Sequence, residues 1–176
     1  LQNETEGNVF FLVEVVRALA EEAGQLDKIG IETLPRHVLT GGLQAIISRR
    51  LRRVPAEAMP MLKVAAVAGR QLDLRIIREV LGADIPLESL LSQCADAAVL
   101  EVEGTVWRFA HSKLRDGLLN DIPVDERRAL HRQVAEITER LYEYSSRTAA
   151  ALAYHWRIAE DSAKEEHYAA LAGEQA

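Results

Sequence analysis

Apolar residues recur at helical spacing along most of this chain, and the period changes to a strand-like pattern in one place. β-Branched and aromatic residues dominate Val99–Val102 and Thr105–Phe109, and Glu103-Gly104 between them is a turn signal. A hairpin this short is marginal in water unless helices cover it. The sequence therefore predicts a mainly α fold that contains one small β-hairpin.

Proline and glycine divide the helical pattern into separate segments. The predicted helices are Phe10–Ala20, Leu43–Val54, Pro55–Ala68, Leu74–Leu81, Pro86–Ala98, Ser112–Asn120, Asp125–Tyr144, Arg147–Glu160 and Ala163–Gly173. We place Pro55 at the first position of its helix, where its missing N–H costs nothing, and Gly69 and Gly82 at helix ends. The helices that precede the hairpin and the hairpin itself follow the order of a winged-helix domain.

The last two predicted helices form a helical hairpin. Small and large residues on them are expected to interlock, namely Ala149, Ala153, Trp156, Tyr168, Ala169 and Ala172. This pair resembles the first unit of a tetratricopeptide-type array, and such arrays need about three repeats for stability. We therefore expect the array, and the polypeptide, to continue beyond Ala176.

The composition describes an ordinary soluble globular protein, with 48% apolar and 27% charged residues. The net charge of −6 argues against bulk binding to nucleic acid or to an anionic membrane. Apolar runs are too short for a membrane span and a signal-peptide pattern is lacking, so a cytoplasmic location is expected. The single cysteine, Cys94, lies in an apolar helical pattern and is expected to be buried.

No catalytic set emerges from the sequence. The chain contains neither a Gly-x-x-x-x-Gly-Lys-Ser/Thr loop nor a Gly-x-Ser-x-Gly elbow. The histidines His37, His131, His155 and His167 lack the spacing of metal ligands, so we expect no metal site.

The segment Phe109–Asp116 follows the predicted hairpin and opens a helix. A helix start exposes unpaired N–H donors and the positive end of the dipole, so His111 is placed where an imidazole can reach a phosphate. Ser112 is the residue we expect to cap this helix. The alternative is that His111 is a purely structural capping or core histidine.

Five strings resemble four segments of one protein family, the STAND-class AAA+ ATPases. They are Glu6-Gly7-Asn8-Val9-Phe10-Phe11-Leu12, Phe109-Ala110-His111-Ser112-Lys113-Leu114-Arg115-Asp116, Arg128-Ala129-Leu130-His131-Arg132-Gln133-Val134-Ala135, and Tyr154-His155-Trp156 with Leu171–Ala176. In order, they resemble the Gly-x-Pro segment of the helical lid, the Met-His-Asp region that ends the winged helix, the helix that enters the tetratricopeptide arm, and the first hairpin of that arm. The bacterial members that this chain resembles carry output domains, as in LuxR-type transcriptional activators, class III adenylate cyclases and serine/threonine kinases.

The resemblance implies three domains: the end of a helical lid at 1–34, a winged helix at 35–123 and the start of a helical-repeat arm at 124–176. It implies that Gly7 and Val9 fall in the adenine-binding segment, with Val9 in place of proline, and that His111 contacts the β-phosphate of ADP. The P-loop is then expected upstream, in an ATPase core of the same polypeptide that holds ADP or ATP with Mg²⁺. The chain itself would be a regulatory part without catalytic activity, and the arm would bind protein partners.

Two further charge patterns bear on function. Arg49, Arg50, Arg52 and Arg53 form a basic cluster. Its simplest interpretation is a solvated face or pairing with Glu57 and neighbouring acidic residues, and the more specific one is a contact with the ATPase core. Between Asp84 and Gly104 the chain has five acidic residues and no lysine or arginine. In a DNA-binding winged helix, the helix before the hairpin enters the groove, and here that is Pro86–Ala98. Because groove binding needs cationic contacts, the acidic character of this helix disfavours DNA.

Two alternative functions stay open at this stage. Val9 at the proline position favours a helical-repeat interaction scaffold with a degenerate nucleotide site. The winged-helix order leaves room for a DNA-binding transcription regulator.

Overall fold

The computed structural model describes residues 42–142 and 145–174, so the predicted helix Phe10–Ala20 lies outside the described residues. The chain divides into two compact units, Leu1–Arg53 and Val54–Ala176. Helix α1 (Gly42–Arg52) belongs to the first unit. It begins one residue before the predicted Leu43 and ends before Val54.

The second unit contains helices around one small antiparallel sheet, which confirms the predicted fold class. In chain order its elements are a 3₁₀ turn (Ala56–Ala58), α2 (Met59–Ala68), α3 (Leu74–Leu81), α4 (Leu87–Asp96), β1 (Leu100–Glu103), β2 (Val106–Phe109), α5 (Ser112–Asp121), α6 (Val124–Leu141), α7 (Ser146–Ile158) and α8 (Ser162–Glu174). In the part of the chain that the structure describes, no helix has the length and apolar character needed to cross a membrane.

Helix α2 is the central element of this unit and is apolar on nearly every side, as expected of a helix surrounded by protein. Its buried residues are Met61, Leu62, Val64, Ala65, Ala66 and Val67. The predicted start at Pro55 was wrong. Pro55 precedes the 3₁₀ turn, and α2 begins at Met59 with Pro60 in its first turn. A helix from Pro55 would have placed Pro60 in its interior, where the ring clashes with a preceding carbonyl.

Helix α3 has the predicted boundaries because both of its ends are specified locally. The Asp73 side chain accepts hydrogen bonds from the N–H groups of Arg75 and Ile76, which caps the helix. Gly82 ends it at φ 97°, a conformation that favours glycine. Its buried residues are Ile76 and Ile77, whereas Leu74 and Leu81, its first and last residues, are half-buried.

The hairpin pairs Leu100 with Phe109 and Glu103 with Val106, which leaves a two-residue loop. Gly104 opens that loop at φ 65°, as short hairpin turns require. A third short segment joins the sheet, since Gln71 forms an isolated antiparallel bridge with Arg108. Helices α2, α3 and α4 are followed by the hairpin, which is the order of elements that the sequence predicted.

Helix α4 packs its apolar face inward with Leu87, Leu90, Leu91 and Cys94 buried. The predicted burial of Cys94 is confirmed, and this burial raises the pKa of its thiol to about 11. The helix stops at Asp96, two residues before the predicted end. Ala98 adopts φ 54° just beyond it, so it lies outside the helix.

Helix α6 connects the hairpin-bearing part of the unit to the α7–α8 hairpin. A second core forms between α6, α7 and α8 and contains Ala135, Ala149, Leu152, Trp156, Ala159 and Tyr168. Three predicted interlocking residues, Ala149, Trp156 and Tyr168, are buried there, but Ala169 is exposed. The Trp156 indole of α7 donates to Glu139 Oε1 of α6 at 2.9 Å, and the Lys164 ammonium of α8 lies 3.9 Å from the ring centroid, so Trp156 joins α7 to both neighbouring helices.

Candidate functional site

His111 lies where the hairpin passes into helix α5. The Ala110 N–H donates to the Val99 carbonyl at 3.0 Å, which extends the strand pairing one residue beyond Phe109. His111 is still extended, at φ −151° and ψ 144°, and the helix begins at the next residue. The strand therefore delivers His111 to the N-cap position with its side chain half-buried.

The ring of His111 caps the helix. Its Nδ1 accepts a hydrogen bond from the Lys113 N–H at 3.2 Å. The prediction that Ser112 is the cap was wrong, because Ser112 already has helical geometry and is the first residue of α5. Because Ala110 still pairs with Val99, the strand ends just before His111, and His111 becomes the N-cap in place of Ser112.

This hydrogen bond determines which ring nitrogen of His111 carries hydrogen. A nitrogen that accepts a hydrogen bond has no hydrogen of its own, so the neutral ring bears it on Nε2. A neutral histidine with this tautomer can donate from Nε2 to an anion while Nδ1 holds the helix start. The capping role and a phosphate-contacting role are therefore chemically compatible.

Helix α5 is anchored behind His111. Leu114 and Leu118 are buried. The Arg115 Nε donates to the Ala66 carbonyl of α2 at 2.8 Å. Arg115 consequently holds the start of α5 against α2.

The other residues of the predicted nucleotide site fall elsewhere. Gly7 and Val9 lie outside the described residues. The arginine cluster is at the end of α1. Arg50 is buried, 8% exposed, whereas Arg49, Arg52 and Arg53 are exposed.

The surface formed by α4 and the hairpin keeps its acidic character. Glu88 on α4 pairs with Arg78 at 2.6 Å. Glu101 and Glu103 pair with Arg108, the basic residue of β2, at 2.7 Å and 2.5 Å. Arg78 and Arg108 are therefore each matched by at least one carboxylate, which weakens their attraction to a phosphate backbone.

A second histidine feature was not predicted from the sequence. His131 on α6 and His155 on α7 are buried, 2% and 5% exposed, and their Nδ1 atoms lie 2.9 Å apart. One ring must donate and the other accept, so the two rings carry opposite tautomers at this bond. The Tyr154 ring lies edge-on to both, with centroids 5.6 Å away.

Burial keeps both of these rings neutral at physiological pH. It lowers the pKa of His131 to about 3, with further lowering by His155 and by the guanidinium groups of Arg127 and Arg115. It lowers the pKa of His155 to about 4, with a smaller contribution from Arg115. Removing the rings from water disfavours the imidazolium form, and the nearby cations act in the same direction.

The sequence does contain a signal for this pair. His131 falls in register with the buried stripe Val134, Ala135 and Thr138 on α6, and His155 adjoins the fully buried Trp156 on α7. Periodicity therefore indicates that each ring faces inward. It does not indicate that two rings 24 residues apart meet, because that depends on how α6 and α7 cross.

Within residues 42–142 and 145–174, no cluster of three or more His, Cys, Asp or Glu residues could hold a metal ion. Comparison of the chain with protein-family models, with curated proteins and with solved structures finds no match.

Proposed function

We propose that this chain is the regulatory part of a STAND-class signal-transduction ATPase, in which His111 senses bound ADP. The observation that carries the proposal is the geometry of His111. Its Nδ1 caps α5, which leaves the hydrogen of the neutral ring on Nε2 at a helix N-terminus. A β-phosphate there would also benefit from the positive end of the helix dipole.

The nucleotide itself would be held mainly by polypeptide that carries a P-loop, which this sequence lacks. Such an ATPase core supplies the Mg²⁺ and phosphate contacts that hydrolysis requires. We place the protein in the cytoplasm, where ADP and ATP are available. The residues described here would bind, orient and report rather than catalyse.

The path from His111 to the arm runs through α2 and α6. Arg115 ties α5 to α2. Lys63 on α2 pairs with Glu126 on α6 at 2.7 Å. Glu79 on α3 pairs with Arg140 near the other end of α6 at 2.9 Å. Because α6 also packs on α7, a displacement of α5 would carry the α7–α8 hairpin with it.

This coupling defines the proposed switch. In the ADP state, His111 would hold the winged helix against the ATPase core. When ATP occupies the core without that contact, the winged helix and the arm would be released together and expose an assembly or output surface for protein partners. A ligand shifts such an equilibrium only by its difference in affinity for the two states, and the His111 contact would provide that difference.

The test uses the polypeptide that includes the ATPase core. Wild type and three variants are purified, and the ADP that each retains is released by denaturation and quantified. His111→Ala removes both the cap and the donor. His111→Asp keeps a good N-cap acceptor but places a negative charge against the phosphate. His167→Ala, an exposed histidine on α8, is the matched control.

The proposal predicts that ADP retention falls in both His111 variants and stays at the wild-type level in the control. If His111→Asp retains ADP as wild type does while His111→Ala does not, His111 acts only by capping α5. If all variants retain ADP equally, the nucleotide role of His111 is wrong.

A second candidate is a helical-repeat scaffold that binds proteins and does not respond to nucleotide. The tightly packed α7–α8 hairpin, with Trp156 and Tyr168 buried between small residues, favours it. This scaffold would bind its partners equally in ADP and ATP, whereas the switch would not. DNA binding is less well supported because Arg78 and Arg108, the cations beside α4 and the wing, are paired to Glu88, Glu101 and Glu103.

A further inference from the structure

A cleft of about 950 Å³ opens within the second unit, on the side of α6 where the hairpin and α7 approach each other. One wall is the segment from the end of α2 to the start of α3, together with β2. The other wall is one face of α7, which presents Thr148, Ala151 and His155 at the spacing of one helix face. This volume is within the range of pockets that hold small-molecule ligands.

The charges in this cleft do not cancel locally. Its lining includes two carboxylates, and both are already engaged. Glu103 pairs with Arg108. Asp73 accepts two backbone N–H groups with Oδ1 and the Tyr142 hydroxyl with Oδ2. The lining therefore holds three arginines, Arg70, Arg108 and Arg147, against these two carboxylates, and neither carboxylate is paired to Arg70 or Arg147.

Those remaining cations are Arg70 and Arg147. Among residues 42–142 and 145–174, no carboxylate lies within ion-pairing distance of either one. They come from opposite walls, since Arg70 follows α2 and Arg147 is in the first turn of α7. Neither arginine has an ion-pair partner among the described residues, and a guanidinium group can bind a phosphate or a carboxylate through two parallel hydrogen bonds.

A buried polar group adds to this wall. His155 is 5% exposed, lines the cleft and is joined to His131 through Nδ1, so its Nε2 is the ring atom outside that bond. None of the described residues bonds to His155 Nε2. If His131 donates to His155 across the Nδ1 pair, His155 carries its hydrogen on Nε2 and becomes a neutral donor at the cleft.

We propose that this cleft binds a small molecule that carries a phosphate or a carboxylate group. Arg70 and Arg147 hold the anionic group from the two walls, His155 donates to it, and the apolar floor formed by Leu72, Ile76 and Val134 contacts the rest of the ligand. An occupant would join the hairpin side of the cleft to the arm side. His111 does not line the cleft, so anion binding here and nucleotide sensing at α5 succeed or fail separately.

The test is an NMR titration of the 176-residue chain with inorganic phosphate and, separately, with citrate, at constant ionic strength against sodium chloride. The proposal predicts saturable shifts at the backbone amides of Gln71, Thr148 and Ala151, with half-saturation at about 1 mM or below for at least one of the two anions. Preference between them tells a phosphorylated ligand from a carboxylated one. The Nε2 nitrogen of His155 is expected to shift in the same titration.

Three single variants test which arginines bind the anion. Arg70→Gln and Arg147→Gln are each expected to weaken binding about tenfold, because each removes one charge-assisted contact. Arg157→Gln removes the same charge from an exposed position on α7 outside the cleft and is expected to bind as wild type does. If a cleft variant fails to fold, the positions of the amide shifts in the wild-type titration still test the site. Shifts centred on residues outside the cleft would refute it.

Three results would overturn the proposal. One is the absence of saturable binding beyond the chloride control. Another is equal weakening by Arg157→Gln, which would mean that general charge attraction is responsible. The third is binding of an acidic peptide at the cleft without binding of either small anion, which would make it a protein-docking surface.

Discussion

His111 and the His131–His155 pair place the same side chain in two opposite environments. His111 is half-buried at a helix start, where one ring nitrogen is committed to the backbone at 3.2 Å. His131 and His155 are removed from water and satisfy each other at 2.9 Å. The difference teaches that the position of the backbone in the fold, and not the residue type, decides whether the Nδ1 of a histidine bonds to a helix start or to a second ring.

The largest expected effect comes from acid. In the unfolded chain a histidine has a pKa near 6.5, whereas burial lowers the pKa values of His131 and His155 to about 3 and about 4. Below pH 6.5 the unfolded state therefore binds more protons than the folded state, and stability falls as pH falls. At pH 5 the loss is about 2 kcal/mol for each ring, or about 4 kcal/mol in total.

Urea unfolding followed by circular dichroism at pH 7.5 and pH 5 measures this loss. The double variant His131→Leu with His155→Leu removes both titrating rings and is expected to lose most of that pH dependence. His167→Leu, at an exposed position, is expected to keep the wild-type pH dependence. Equal pH dependence in wild type and the double variant would show that the pair is not the cause.

A smaller effect is expected when only one ring of the pair is replaced. His155→Leu leaves the His131 Nδ1 buried without its partner, which costs about 1–3 kcal/mol at pH 7.5. Adding His131→Leu is expected to restore part of that loss, because replacing both partners by apolar groups avoids an unsatisfied polar atom. A double-mutant cycle in urea measures the coupling, and additive losses would refute the hydrogen bond between the rings.

At the other histidine, the expected effect is smaller again. His111→Ala removes the cap of α5 and is expected to cost about 1 kcal/mol in the free energy of unfolding. His111→Asp supplies a carboxylate acceptor at the same place and is expected to recover that stability. If His111→Asp is as unstable as His111→Ala, the ring stabilises the chain by some contact other than the cap.

The smallest expected effect concerns the ion pair beside His111. Lys113 and Asp116 lie 3.5 Å apart on α5, one helical turn from each other, and both are about half exposed. Lys113→Met is expected to change the free energy of unfolding by about 0.5 kcal/mol or less. A loss as large as that of His111→Ala would mean that charge on the first turn, and not the ring nitrogen, holds the helix start.

The sequence predicted elements well where their ends are specified by neighbours along the chain. Both ends of helix α3 are specified by the residues next to it, since Asp73 caps its start and Gly82 terminates it. The hairpin was predicted to within a residue because Gly104 marks its loop. The predicted start of α2 at Pro55 was wrong because Pro60 is tolerated only in the first turn of a helix, and α2 therefore begins at Met59.

The candidate sites were harder to predict because they depend on contacts between distant segments. His111 was identified correctly as the residue at the helix start, but its capping hydrogen bond depends on pairing between Ala110 and Val99. The spacing of buried residues indicates that His131 and His155 each face inward, yet the contact between the two rings depends on how α6 and α7 cross. Arg70 and Arg147 share a cleft although they are 77 positions apart in the sequence, and no local pattern joins them.

The tautomer of His111 is the most direct test of the nucleotide-sensing account. With ring-nitrogen labelling, long-range proton–nitrogen correlation spectra of the 176-residue chain above pH 7 report which nitrogen carries hydrogen. The account predicts hydrogen on Nε2 and none on Nδ1, since Nδ1 accepts from Lys113. Hydrogen on Nδ1 would contradict it, because the cap would then be absent and Nε2 could not donate to a phosphate.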